Sequence, residues 1–427
     1  MELRPGYKNT EVGEIPEDWE VACIGDLGAV VRGGSPRPAG DSRYFNGDFI
    51  PWLTVAALTS ISENKLIVSE TSTYLTEEGA KRSRTLENGT LIIANSGATL
   101  GVAKILGMKC CANDGIAAVI EAKAGNSEYV CHYINSITKH LRDVVATGNG
   151  QPNLNTTLIR ELKIPFPLES EQRAIASALS DIDSLLTKLD QLITKKRDLK
   201  QAAMQQLLTG KTRLPGFSGE WAVKRLGALF KFSGGYSASR DQLSSNGFCY
   251  LHYGDIHGAV KTTIDTQADY HDIPKLDVPL KRVSPESLLA DGDVVFVDAS
   301  EDDAGTSKHV VVVNKGGLPF IAGLHTIVAK AKTTELVHEY LRYCFKTEAI
   351  RQQFLFYAVG TKVSGISKFN IVKLSLLVPS VPEQTAIATI LSDMDTELAA
   401  LVARREKTRA LKQGMMQELL TGRTRLV

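Results

Sequence analysis

Asp114, Glu121 and Lys123 are the residue types of a metal-dependent nuclease centre, where two carboxylates hold a magnesium ion and a lysine steadies a nucleophilic water. The apolar run Ile116–Ile120 lies between them. The spacing is short for such a core. The positions aligned with these three later in the chain are Gly323, Lys330 and Lys332, so a strand edge is the simpler reading. His252, Asp255 and His257 could ligate a metal from one loop. No further ligand clusters with them, which favours a polar surface loop and leaves no assigned metal site. Gly210-Lys211-Thr212 has the tail of a phosphate-binding loop. That motif needs a glycine five residues before Gly210, where the chain has Gln205, and it must open a helix rather than close one. Base methylation is equally unsupported. None of the 15 prolines adjoins another, as the Asp/Asn-Pro-Pro-aromatic turn of adenine methylation needs, and none precedes a cysteine. No catalytic constellation and no cofactor site is legible.

The elements around these residues are set by length and composition. The 427 residues correspond to roughly two to four domains at the usual domain size. An apolar fraction of 43% with 23% charged residues excludes a disordered or fibrous chain. No apolar run approaches the length of about 18 residues that a membrane span needs. The opening Met-Glu-Leu-Arg-Pro-Gly lacks an export signal. Six cysteines without a C-x-x-C pair point to a reduced, cytoplasmic chain. The net charge of +1, from 49 bases and 48 acids, neither requires nor excludes a nucleic-acid partner.

Self-similarity is the main signal. Glu171–Leu214 and Glu383–Leu426 align without a gap at an offset of 212, with 25 identities over 44 positions. Fainter echoes extend outward: Trp19 with Trp221, Gly33-Gly34 with Gly234-Gly235, and Gly89–Ile93 with Gly292–Phe296. The chain is thus a duplicated pair of units, each followed by a long helix. Ile175, Leu179, Ile182, Leu186, Leu189 and Ile193 alternate steps of four and three, as do Ile387, Leu391, Met394, Leu398 and Leu401. That is the seam of a coiled coil. About 40 residues at 1.5 Å each make a rod of roughly 60 Å, and the nearest partner for its apolar stripe is its own copy. Charge is polarised along the first rod. Five acids against two bases occupy 168–194, and six bases against Asp198 occupy 195–214. This complements the helix dipole, or it presents basic ends to a polyanion or a partner subunit.

The intervening units are expected to be compact α/β (α+β) domains. Strands are predicted at Phe49–Val55, Leu91–Ala94, Val102–Leu106 and Ile116–Ile120, then at Val294–Val297, Val310–Val313 and Thr326–Ala329. Amphipathic helices are predicted at Glu128–Val145 and Glu335–Phe356.

Gly13–Trp19, Gly34-Ser35-Pro36, Ile50-Pro51-Trp52, Ser96–Gly101 and the twice-used Leu-Leu-Thr-Gly-Lys/Arg-Thr-Arg-Leu resemble the specificity subunits of type I restriction-modification enzymes, over essentially the whole chain. The resemblance implies two target-recognition domains, 1–167 and 211–379, each reading half of a bipartite double-stranded DNA site. They would be joined by spacer helices at 168–210 and 380–427 that pair as an antiparallel coiled coil with pseudo-twofold symmetry. It implies no catalysis by this chain. Two DNA adenine methyltransferase subunits and restriction-translocase subunits would be recruited, and S-adenosylmethionine, ATP and magnesium would belong to them.

Residue type and loop position nominate the DNA contacts, since Arg, Lys, Asn, Gln and Ser read base edges and cations hold phosphates. They are Arg32, Arg37, Arg43, Ser96, Thr99 and Asn153 in the first unit, and Tyr236, Arg240, Lys308, His309 and Lys362 in the second. Two other readings stay open: a tandem protein-binding adaptor without nucleic-acid function, and a self-contained DNA nuclease with a divergent motif.

Overall fold

Two 39-residue helices dominate the computed structural model: α1 (Glu169–Leu207) and α2 (Val381–Leu419). The structure describes residues 4–146, 152–257, 261–300, 308–359 and 364–426. Each helix is followed by a left-handed glycine, Gly210 (φ 68°) and Gly422 (φ 70°), a conformation that favours a residue without Cβ and turns the chain out of the helix. The chain divides into two units, Met1–Ile193 with Ala400–Val427 (unit 1) and Thr194–Ala399 (unit 2), so each unit owns part of both helices.

In unit 1, Asp183 pairs with Lys412 at 2.5 Å and Asp190 with Arg405 at 3.3 Å. Partner numbers fall along α2 as they rise along α1, so the helices run antiparallel there. In unit 2, Lys196 pairs with Glu397 at 2.6 Å and Lys200 with Asp395, in the same sense. This explains the polarised charge. The acidic first half of each helix faces the basic second half of the other, so several of the bases read as free for a polyanion are already paired inside the chain. The seam is buried as its spacing predicts at Ile175, Leu179, Leu186, Leu189, Ile193, Ile387 and Leu391, and half-buried at Ile182, Met394, Leu398 and Leu401.

The phrase shared by both helices closes each unit. Glu171 and Glu383 are 1% exposed. Glu171 accepts from Trp19 Nε1 at 3.0 Å and from Arg425 Nε at 2.5 Å. Glu383 accepts from Trp221 Nε1 at 3.0 Å and from Arg213 Nε at 2.6 Å. The neighbouring glutamines are also buried. Gln172 accepts the Asn126 N–H and donates to Pro167 O, while Gln384 accepts the Val337 N–H and donates to Pro379 O. Each repeated Glu-Gln therefore fixes an indole, a guanidinium and the start of the unit's own amphipathic helix.

The two divergent units share one topology. Unit 1 has a five-stranded sheet in the order Ala29–Arg32, Ile116–Ile120, Leu91–Ala94, Ala103–Leu106, Ile67–Val68, and unit 2 has Phe230–Gly234, Thr326–Ala331, Val294–Val297, His309–Val313, Thr263–Asp265. In both sheets only the last pairing is parallel. A four-stranded sheet accompanies each and contains one parallel pair, Phe45–Leu53 with Cys110–Ala112 at the centre of the first and Phe248–Leu251 with Phe320–Ala322 at one edge of the second. The sheet edges differ. Arg84–Leu86 flanks Cys110–Ala112 in unit 1, whereas unit 2 has only a Leu288–Ile321 bridge there and adds Leu243–Ser244 at the opposite edge.

The predicted strands are present within a few residues, but the predicted helices are interrupted. Ser127–Ser136 is followed by a short turn and a wide π-type turn, Leu141–Val145. The second is split into His338–Cys344 and Glu348–Tyr357, because the Thr347 hydroxyl accepts the Ile350 N–H and starts a new helix. The cores carry both helices. Ile175, Ala176 and Leu179 pack with Leu419 and Leu420 in unit 1, and Met204, Leu207 and Leu208 pack with Ile387, Ala388 and Leu391 in unit 2. Among the described residues no helix is long and apolar enough to cross a membrane.

Candidate nucleic-acid interface

Glycine positions the loops at the end of each five-stranded sheet. A Cβ on Gly33 would lie 2.1 Å from Asn113 O, and one on Gly235 would lie 1.8 Å from Gly323 O. Only glycine lets the chain leave the first strand against the turn that precedes its neighbour in the sheet, Ile116–Ile120 or the counterpart Thr326–Ala331. Gly33 therefore corresponds to Gly235, one residue along from the pairing that the sequence echo suggests.

In unit 1 that turn carries Asp114, which gathers three of its neighbours. Ser35 Oγ donates to Asp114 Oδ1 at 2.6 Å, Arg32 Nε donates to the Asp114 carbonyl at 2.5 Å, and Arg37 Nη2 lies 3.8 Å from Oδ2. The Ser35 hydroxyl, with Arg32 and Arg37 adding to it, holds the Asp114 carboxyl below its ordinary range against the opposing effect of burial. Asp114 is thus an organiser of arginines. It stands at one end of the five-residue strand Ile116–Ile120 and Glu121 follows the other end, so the nuclease arrangement does not form. Asn95 Nδ2 donates to the Asp114 carbonyl at 3.3 Å, Leu154 N–H donates to Asn95 O at 2.9 Å, and Arg142 donates to Ala98 O at 3.0 Å. These bonds draw Arg32, Arg37, the Ser96–Thr99 loop and Asn153 into one end of the unit. Arg37, 73% exposed, is the most available cation. The Thr99 hydroxyl is buried in its loop, so it shapes the turn and does not face outward. Arg43 belongs to a separate loop. It grips Asp41 through Nε and Nη2 and holds that carboxyl down to about 2.

In unit 2 the nominated residues meet less well. Tyr236 is half-buried and tied by its N–H to Ala322 O at 2.7 Å. Arg240 is exposed on the turn Arg240–Gln242. Lys308 is half-buried and donates to His257 O at 2.6 Å, so its ammonium is already engaged. His309 corrects the expectation. It is a buried strand residue, its ring 5.6 Å from Phe296 and 5.1 Å from Phe345, and it cannot reach a base edge. The apolar run Val310–Val313 starts one residue earlier than its composition suggests, which turns a polar side chain inward. Lys362 lies outside the described residues.

The His252–His257 segment is a helical turn rather than a ligand set. Gly254 N–H donates to His252 Nδ1 at 3.1 Å and Asp255 Oδ2 accepts the His252 N–H at 3.2 Å. Burial lowers the His252 pKa and raises that of Asp255. Among the described residues no three His, Cys, Asp or Glu side chains gather in a form that could hold a metal ion. Cys110 and Cys111 are buried in a strand, and burial pushes the Cys110 thiol up to about 12. Sequence reasoning passed over Asn95 and Arg142, because their part depends on loops brought together from distant positions.

Two units of one topology with different polar loop ends, each locked onto copies of one helix, define a duplicated recognition protein. The sequence matches the type I restriction modification DNA specificity domain twice, over residues 16–197 and 218–408, and the chain belongs to that family. It is 28% identical over 258 residues to the MjaIX specificity subunit of Methanocaldococcus jannaschii, which covers 56% of this chain and 57% of that protein. It is 23% identical to the MjaVIII specificity subunit of the same organism, covering 98% of this chain and 96% of that one. The fold is similar to the crystal structure of a type I restriction-modification S subunit from M. genitalium, with a TM-score of 0.56, 14% identity and 98% of both chains covered.

Proposed function

We propose that the chain is the DNA sequence-recognition subunit of a type I restriction-modification complex, active in defence against phage. Each unit would read one half of a bipartite, asymmetric site. Residues 1–167 and 211–379 would be the reading heads, and 168–210 and 380–427 the spacer helices. The chain itself would be non-catalytic and cytoplasmic. It would recruit DNA adenine-N6 methyltransferase and restriction-translocase subunits, and these would bring S-adenosylmethionine, ATP and magnesium. One observation carries the reading: the same strand order in the five-stranded sheets of both units supports unlike loop ends, Arg32 and Arg37 around Asp114 in one and Arg240 and His325 in the other. That is what two different half-sites on one scaffold require.

Long-read methylation mapping of the host with and without the gene tests it. A split adenine motif that loses methylation on deletion is the expected result, and exchanging residues 1–167 should change one block of it. Unchanged methylation, with the chain and its methyltransferase expressed, would leave the adaptor reading in its place.

A further inference from the structure

The equivalent turns of the two units differ at one backbone position. Asn95 N–H donates to Gly115 O at 3.0 Å, and Asp298 N–H donates to His325 O at 3.1 Å. Leu154 N–H and Ile366 N–H then donate to the carbonyls of Asn95 and Asp298, at 2.9 and 2.8 Å. Gly115 and His325 therefore occupy the same place, as do Asn95 and Asp298. In unit 1 a Cβ on Gly115 would lie 2.5 Å from Val55 Cγ2 and 3.1 Å from Ser96 Oγ, so a side chain there would have to displace the Val55 side chain.

In unit 2 the place is filled by an imidazole whose backbone is left-handed, at φ 59°. That conformation is uncommon for a residue with a Cβ and clusters at functional sites. The ring is not there to fill a core, because the His325 side chain is 51% exposed. It is nevertheless held: Nδ1 lies 3.3 Å from Asp298 Oδ1, and the Tyr253 ring meets it edge-on at 5.6 Å. Asp298 Oδ1 is buried and has no hydrogen-bond partner among the described residues, and the His325 ring is the polar group beside it.

We infer that His325 is the base-contacting residue of unit 2, with Asp298 and Tyr253 as its positioning residues. This rests on the DNA-recognition reading above. With Nδ1 turned toward the Asp298 carboxylate, Nε2 is the ring nitrogen left to meet a ligand. A ring nitrogen there can hydrogen-bond to a base edge in the major groove. Unit 1 presents guanidinium donors from Arg32 and Arg37 around the equivalent turn, and these suit guanine O6 and N7. The two heads thus carry different base-reading groups around one structural position.

The test is methylation mapping of hosts expressing the full-length chain with its own partners, as wild type, His325→Gly or His325→Asn. Both replacements accept a left-handed backbone. Each should leave one block of the methylated motif intact and relax a single base position in the other, with discrimination there falling about tenfold. An unchanged motif in both variants overturns the inference while DNA recognition stands. Loss of the whole motif in both would make His325 a structural residue and also overturn it. If the wild type specifies no split motif, the DNA-recognition reading is what fails.

Discussion

Arg425 grips Glu171 with two parallel hydrogen bonds, 2.5 Å from Nε and 2.8 Å from Nη2, across 254 positions of chain. Its copy, Arg213, grips Glu383 in the same way at 2.6 and 2.7 Å. Both guanidinium groups also lie over the tryptophan that shares the carboxylate, 5.6 Å from the Trp19 ring and 5.4 Å from the Trp221 ring. The arginine at the end of one helix thus secures the start of the other.

Removing that arginine strands a buried charge. Arg425→Ala leaves Glu171 with the Trp19 indole as its remaining side-chain donor, and unit 1 should lose about 3 kcal/mol. Denaturant unfolding of Arg425→Ala, Glu171→Gln and the double variant measures it. The double variant should cost less than the sum of the singles. Additive losses would mean that the two side chains are not coupled.

His132 makes unit 1 acid-sensitive. Burial, with Lys412 adding to it, lowers the His132 pKa to about 4 from an ordinary 6.5. The unfolded imidazole takes its proton near 6.5 and the folded one only near 4, so this contribution is complete above pH 6.5 and is lost as the pH falls toward 4. About 2 kcal/mol of it should be gone by pH 5. Urea midpoints at pH 7 and pH 5 should separate widely for the wild type and less for His132→Gln. Equal separation in the two would show that another group sets the acid limit.

Gly33 and Gly34 are adjacent but unequal. Gly33→Ala drives a Cβ into the Asn113 carbonyl, a backbone atom that cannot rotate away, and should cost about 1–3 kcal/mol while displacing the Asp114 turn. Gly34→Ala meets nothing closer than Arg84 N at 3.7 Å and should stay within about 0.5 kcal/mol of wild type. The two melting temperatures, with DNA binding by each variant, decide whether the close approach is what the turn requires.

Arg37→Ala removes the most exposed arginine on the Asp114 turn. Binding should weaken by about 1–3 kcal/mol toward duplexes that keep the half-site read by unit 1, with discrimination in the other half-site unchanged. Titrations against duplexes altered in one half-site at a time measure this. A uniform loss across all DNA sequences would assign Arg37 to phosphate contact instead.

The sequence by itself determined the duplication, the two long helices and their glycine stops, because helical periodicity and capping are local and repeat at a constant offset. It also placed most strands, whose apolar runs read through to buried sheet positions such as Leu91–Ala94 and Val294–Val297. The tertiary structure decided what those residues do. The bases of α1 and α2 that pair within the chain find their acids only once the helices run antiparallel, and a one-dimensional charge count cannot show that. Asp114 became an arginine organiser rather than a metal ligand because a strand holds it apart from Glu121. His309 went inward because strand alternation and the Phe296 and Phe345 rings claim it. His325 gained its place from a left-handed turn beside Asp298, and a turn's side-chain neighbours come from strands far apart in the chain.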